Sequence, residues 1–250
     1  ALRAVFARKM RSDRLNRLLL RGRLSWREVD LFRAYFAYSR QLGHQLIPEV
    51  VYKVLMGHAS FVTQLAQLFR LRFEPHEDVS LDPSKIERVS EALHAHLDAV
   101  QGFEEDRILR LFLNLVEATV RTNFYRTRTD RQHILSFKIR SAMVTEMPEP
   151  RPMFEIFVQH AEIEGIHLRG GRVARGGLRW SDRLDDFRSE ILGLMATQML
   201  KNTLIVPVGA KGGFVLTEPV EDPQEARARA DRLYRVFIRG LLEVTDNLVD

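Results

Sequence analysis

Arg175, Lys201 and Lys211 fall within residues 174–214, a stretch that also holds Gln198 and two glycine pairs beside the cations, Gly176-Gly177 and Gly212-Gly213. Glycine lets backbone turn sharply or approach a ligand closely. Arg175 and Lys211 are therefore predicted on glycine turns, with Lys201 at a helix end. Such a layout can converge several positive charges on one small anion while leaving one lysine for proton transfer. Gln198 and Lys201 are three residues apart and share one face of the expected helix. An amide and an ammonium together grip a carboxylate through two kinds of donor. Lys201 would also suit a helix C-terminus with no ligand at all, through the helix dipole. The planar guanidinium of Arg175 fits a second carboxylate, so the three cations favour a small dicarboxylate over a monoanion. A lysine near other cations and partly desolvated releases its proton more readily, which suits Lys211 to general-base work. The plainer reading of the same residues is a surface lysine in a flexible turn.

Other chemistries fit less well. A phosphate-cradling loop needs GxxxxGK[ST], but here glycine follows the lysine, and no GxGxxG occurs in the chain. His94 and His96 are two apart and face different ways on a helix, and HExxH is absent, so no metal site is predicted. Trp180 and Phe187 are read as core packing rather than a stacking platform. Asp182, Asp185 and Asp186 are placed to open the helix at Phe187, or to pair with the cationic cleft.

These side chains need a scaffold, and the chain supplies two kinds. Residues 1–127 read as helical, with apolar spacing of three and four through Trp26–Leu42, Pro48–Phe69, Ser84–Val100 and Arg107–Arg121. Ser25 with Glu28 predicts a capping box, and Asp82-Pro83 another helix start. After Arg128 the pattern changes. His133–Ile139, Phe154–Val158 and Glu164–Leu168 read as strands, Phe187–Lys201 as a helix, Leu204–Val208 as a strand covered on both faces, and Pro223–Leu242 as a helix. The expected fold is all-helical over 1–127, then mixed α/β over 128–250.

Charge is unevenly placed. Residues 1–40 hold eleven Arg or Lys against Asp13, Glu28 and Asp30, an excess of eight positive charges in a chain of net charge +5, so the remainder is slightly acidic. A solvated helix face is the favoured reading over a nucleic-acid surface, since no aromatic residues interleave with the arginines in the RNA-binding manner. The chain has no cysteine, no long apolar run and no signal peptide, which together predict a cytoplasmic protein without disulfides, membrane or nucleic-acid partner. Both ends look cut, with no starting Met and no stop signal after LLEVTDNLVD, so a piece of a longer polypeptide is expected.

The run GLRW…Q..KN…VPVGAKGGF resembles the substrate-binding domain of glutamate dehydrogenases, and in particular the large NAD-specific bacterial ones. EIFV, EGIHLRGGRVARGGLRWSDR, DFRSEILGL, KNTLIVPVGAKGGF, DRILRLFLNLVEATVRTNFY and GLLEVTDNLVD carry the likeness, which is strong over 150–216 and looser before residue 100. It implies NAD-dependent oxidative deamination of L-glutamate to 2-oxoglutarate and ammonia. Lys211 matches the family's catalytic lysine, and Lys201 with Gln198 its α-carboxylate binders. Arg175 stands where the small hexameric enzymes carry a lysine for the side-chain carboxylate, keeping the charge and changing the geometry. The segment between the two lysines is also shorter than in those enzymes. The resemblance further implies that residues 128–250 are an incomplete, amino-acid dehydrogenase-like substrate domain. The Rossmann-type NAD domain and catalytic aspartate would lie downstream of Asp250. The full-length protein would be a homo-oligomer, and the fragment alone inactive. From a different class, the alternative is a non-catalytic helical assembly or regulatory module of a larger protein.

Overall fold

Ser25 opens the helix Trp26–Gln41 by the reciprocal bonds its sequence predicts. Its backbone N–H donates to Glu28 Oε2 (2.7 Å), and its Oγ accepts from the Glu28 N–H (3.3 Å). The computed structural model describes residues 2–7, 9–75, 83–126, 133–201 and 208–245, with the Lys201 side chain outside that description. By its internal contacts the chain divides into two units, Ala1–Phe36 with Gln45–Glu117, and Ala37–His44 with Ala118–Asp250.

The first unit is helical. It holds α1 (Leu2–Phe6), a 3-10 turn leading into α2 (Leu18–Arg21), α3 (Trp26–Gln41, through Phe36), α4 (Pro48–Gly57), α5 (Ala59–Phe73), α6 (Pro83–Asp98) and α7 (Phe103–Ala118, through Glu117). The apolar spacing over Pro48–Phe69 predicts one helix, but His58 leaves helical backbone (φ −104°, ψ 45°) and divides it into α4 and α5. The predicted start at Asp82 lies outside the described residues, and Pro83 takes the first position of α6. Phe32 and Phe112 pack with ring centroids 6.2 Å apart. Beside them the buried Arg33 is held by Asp13 (2.8 Å) and Asp30 (2.6 Å). His96 approaches His58 (3.0 Å) while His94 approaches Glu117 (3.8 Å), so the two histidines do face apart.

The second unit is built on a six-stranded sheet of order β1-β2-β3-β4-β6-β5. Its strands are β1 (Thr119–Thr122), β2 (Leu135–Arg140), β3 (Phe154–Gln159), β4 (Ile163–Arg169), β5 (Ala174–Trp180) and β6 (Val208–Leu216). β1 lies inside the span read as all-helical. All neighbours are antiparallel except β5 and β6, and that parallel pair takes its crossover from α8 (Phe187–Lys201). α9 (Pro223–Leu242) follows, with Asp222 capping it by accepting from the N–H groups of Gln224 and Glu225.

The two faces of the sheet differ. α9 buries Leu233, Val236, Phe237 and Leu241 on the face of Ile156, Val158 and Phe214, and the Phe237 ring lies where a Cβ on Gly165 would point (2.4 Å). α8 covers the other face through Ile191, whose Cδ1 lies 2.5 Å from the Cβ position of Gly213, and through Gln198 and Met199 over Gly209.

Candidate functional site in the groove between β5 and α8

The glycine pairs beside the cations are strands, which corrects the expected turns. Arg175 is the second residue of β5, and Lys211 lies within β6, paired to β4 on one side and β5 on the other. The glycines serve close packing instead. A Cβ on Gly176 would fall 1.4 Å from the Ala210 carbonyl oxygen, and one on Gly212 would meet Leu178 (2.3 Å) and His167 (2.9 Å). Bare strand positions of this kind mark close approach of neighbouring chain. The predicted strand Leu204–Val208 falls outside the described residues except for Val208, the first residue of β6.

Register sets the cations on one face. Arg175 pairs with Gly209, Gly177 with Lys211 and Arg179 with Gly213. Paired residues point to the same side, so Arg175, Arg179 and Lys211 all stand on the α8 face. Gly177 beside Lys211 leaves a gap, since a Cβ there would meet nothing within 4 Å among the described residues. The two positions are about 4.8 Å apart across the strands. Lys211 is half-buried, and Arg175 and Gly177 are exposed along the sheet edge.

One stripe of α8 runs opposite. Glu190 accepts from Arg179 Nη1 (3.0 Å) and from Ser181 Oγ (2.6 Å). Eight residues on, Gln198 Nε2 donates to the Arg175 carbonyl (3.0 Å). Those eight residues span about 12 Å of helix, and Arg175 to Arg179 spans about 13 Å of strand, so the two rows stay in step. Leu194 sits between them, 37% exposed. The result is a groove with the Gly177 backbone and Lys211 as its floor, closed at one end by Arg179–Glu190 and at the other by Arg175–Gln198. Gln198 Oε1 is buried with no hydrogen-bond partner among the described residues. Lys201 closes α8 three residues beyond Gln198, and its side chain lies outside the described residues.

On the opposite face, His167 is held down to a pKa of about 4, chiefly by burial and then by the charge of Arg169. It stays neutral there, its Nδ1 without a partner among the described residues. Of the aspartates before α8, Asp186 directly precedes its first residue and its carbonyl accepts from the Glu190 N–H (3.3 Å), while its carboxylate pairs with Arg183 and that of Asp185 with Arg40 (2.8 Å). Trp180 is 37% exposed while Phe187 is fully buried, so the tryptophan is not the core residue its sequence suggests.

Sequence reasoning missed Arg179 and Glu190. Their signal is periodic: Arg179 continues the alternation of Arg175 and Gly177, and Glu190 lies two helical turns before Gln198. It also missed the buried base of α8. Arg188, fully buried, lays its guanidinium on Glu155 of β3, with Nε to Oε2 at 3.0 Å, and Tyr38 donates to the same carboxylate (2.8 Å). Burial opposes charge on Arg188, but the Glu155 carboxylate outweighs it and raises the pKa above its ordinary value. Burial and the same carboxylate push the Tyr38 hydroxyl well up.

A helical region leading into a mixed six-stranded sheet with a cationic groove is the architecture that comparison with known proteins bears on. Residues 92–250 match the family described as bacterial NAD-glutamate dehydrogenase, catalytic domain, and residues 10–75 match glutamate dehydrogenase, helical motif 3. The chain belongs to the bacterial NAD-glutamate dehydrogenase family. It is 43% identical to the NAD-specific glutamate dehydrogenase of Mycobacterium tuberculosis over 99% of its own length and 16% of that protein's. For the Halomonas elongata enzyme of the same name the figures are 42%, 100% and 16%, and for that of Pseudomonas aeruginosa 45%, 95% and 15%. The chain therefore spans about one sixth of the length of these relatives. Among the described residues no helix is long and apolar enough to cross a membrane.

Proposed function

We propose that the groove between β5 and α8 is the glutamate side of an NAD-dependent oxidative deamination, L-glutamate and water giving 2-oxoglutarate and ammonia. Residues 128–250 act as an amino-acid dehydrogenase-like substrate domain of a cytoplasmic homo-oligomer, whose NAD is held by residues outside this chain. Gln198 and Lys201 bind the 1-carboxylate and Arg175 the side-chain carboxylate. Gln198 and Arg175 share one end of the groove. There the length of an arginine side chain lets the guanidinium reach the second carboxylate while the Arg175 backbone carbonyl steadies Gln198. NAD, when bound, supplies the hydride acceptor. Loss of hydride from Cα and a proton from nitrogen leaves the 2-imino acid. Water then adds at C2 and ammonia departs. Lys211 takes the proton from that water and returns one to the leaving nitrogen.

The observation that supports this most is the gap at Gly177, which leaves the half-buried Lys211 approachable from the sheet edge between two arginines. In the full-length enzyme, Lys211→Ala is expected to lower glutamate-dependent NADH formation by about 10²–10⁴-fold, with oligomer size and thermal unfolding unchanged. Wild-type turnover from that variant would refute the assignment.

A further inference from the structure

We propose that Arg188 and Glu155, with Tyr38, are positioning residues for the substrate groove: their buried contact fixes the axial position and rotation of α8, and so the placement of Gln198 and Lys201. The inference rests on the groove being the glutamate site.

Arg188 is the second residue of α8 and among the largest fully buried side chains, and its partner Glu155 is equally buried on β3. Burying a charged pair gains little stability over an apolar pair of similar volume, because desolvation offsets the attraction. Geometry is what such a pair supplies, since a forked guanidinium accepts a carboxylate in one plane and one register. Tyr38 Oη donates to Glu155 Oε2 (2.8 Å), and Gln41 Oε1 accepts from the Arg188 backbone N–H (3.3 Å), so both partners are oriented by a second contact. The Gln41 amide nitrogen also donates to the Leu184 carbonyl (2.9 Å), tying down the turn that enters α8.

The other polar contacts of α8 with the sheet, Glu190 to Arg179 (3.0 Å) and Gln198 to the Arg175 carbonyl (3.0 Å), are made to the exposed edge strand β5, and its apolar contacts do not fix register. Ile191 lies over Gly213, and Gln198 and Met199 over Gly209. A side chain over a bare glycine can slide, having no Cβ beneath it to lock against. Gln198 is ten residues from Arg188, about 15 Å along the helix. A tilt of roughly 4° at Arg188 moves it about 1 Å, a displacement that can cost about 10²-fold in rate where a ligand must be held for reaction.

The test uses the full-length enzyme. The double variant Arg188→Met, Glu155→Leu removes both charges and leaves none unpaired. It is expected to raise KM for glutamate by about 10-fold or more, with KM for NAD unchanged and kcat lowered less than kcat/KM. Arg188→Lys keeps the charge without the fork and is expected to leave KM for glutamate raised. A stable double variant with wild-type KM for glutamate, or full rescue by Arg188→Lys, would overturn the proposal. Should the double variant fail to fold, Tyr38→Phe decides. Loss of that one hydroxyl is expected to raise KM for glutamate several-fold with KM for NAD constant, and no change would refute the positioning role. Failure of the underlying reading looks different, because then Lys211→Ala keeps wild-type glutamate-dependent NADH formation. In that event the position of α8 in crystals of the double variant still decides, and an unmoved α8 counts against the proposal.

Discussion

Gly176 and Gly177 are neighbours on one strand, yet substitutions there should have opposite effects. At Gly176 a Cβ would lie 1.4 Å from the Ala210 carbonyl oxygen, whereas real Cβ contacts essentially never fall below 3.0 Å. β5 and β6 would have to separate by about a third of their roughly 4.8 Å spacing, breaking hydrogen bonds at the sheet edge. Gly176→Ala is therefore expected to destabilise this edge by about 3 kcal/mol or more. At Gly177 nothing among the described residues lies within 4 Å of the added atom, and its backbone is not left-handed, Gly43 being the glycine with positive φ among them. Gly177→Ala should stabilise by about 0.4–1 kcal/mol through the unfolded chain, and Gly177→Val suits a strand still better. The valine branches, however, fill the gap beside Lys211. Displacing substrate by about 1 Å there is expected to cut kcat/KM for glutamate about 10²-fold. The assay pairs hydrogen exchange across β5 and β6 with NADH formation in the full-length enzyme, because a single melting temperature is poorly defined for a protein of several domains. Gly177→Val with wild-type kcat/KM would show that substrate does not lie over β5. Equal loss of protection in both alanine variants would show that the assignment of faces is wrong.

Three further outcomes are expected. His167, held near pKa 4 against an ordinary 6.5, stays neutral in the folded chain while the unfolded chain takes up a proton, so stability falls as pH drops from about 6.5 to 4 and levels below. Replacing it as His167→Leu should flatten that slope by an amount on the order of 3 kcal/mol, read from denaturant midpoints across this window. Ser25→Ala removes one half of the capping box and should cost about 1 kcal/mol, measured by exchange protection at the start of α3. Gly165→Ala drives a methyl towards the Phe237 ring, 2.4 Å away, and should loosen α9 by about 1–3 kcal/mol, seen as faster proteolysis between β6 and α9.

Local signals carried much of this fold. α8 and α9 begin and end where apolar spacing, Pro223 and the lysine end predicted, and the capping box forms as read. What failed to show was set by partners distant in sequence. Glycine beside a cation looks the same in a turn as in a strand pressed under a helix, and only α8 and β4 around β6 reveal the second case. The break at His58 hides because α4 and α5 continue one apolar rhythm across it. β1 follows α7 with no turn former between them, so a helical pattern conceals a strand. At the site, Arg175, Gln198 and Lys211 were legible as cation and amide chemistry. That Gln198 meets the Arg175 carbonyl was not legible, being set by how α8 lies along β5. Arg179, Glu190 and the Arg188–Glu155 pair depend on strand register and helix placement, which no spacing rule supplies.

A crystal structure of the full-length enzyme with 2-oxoglutarate bound decides whether this groove is the substrate site. The keto oxygen is expected within hydrogen-bonding reach of Lys211 Nζ, over the gap at Gly177, with one carboxylate on Gln198 and Lys201 and the other on Arg175. A ligand bound on the α9 face, or away from Lys211 altogether, would contradict that placement.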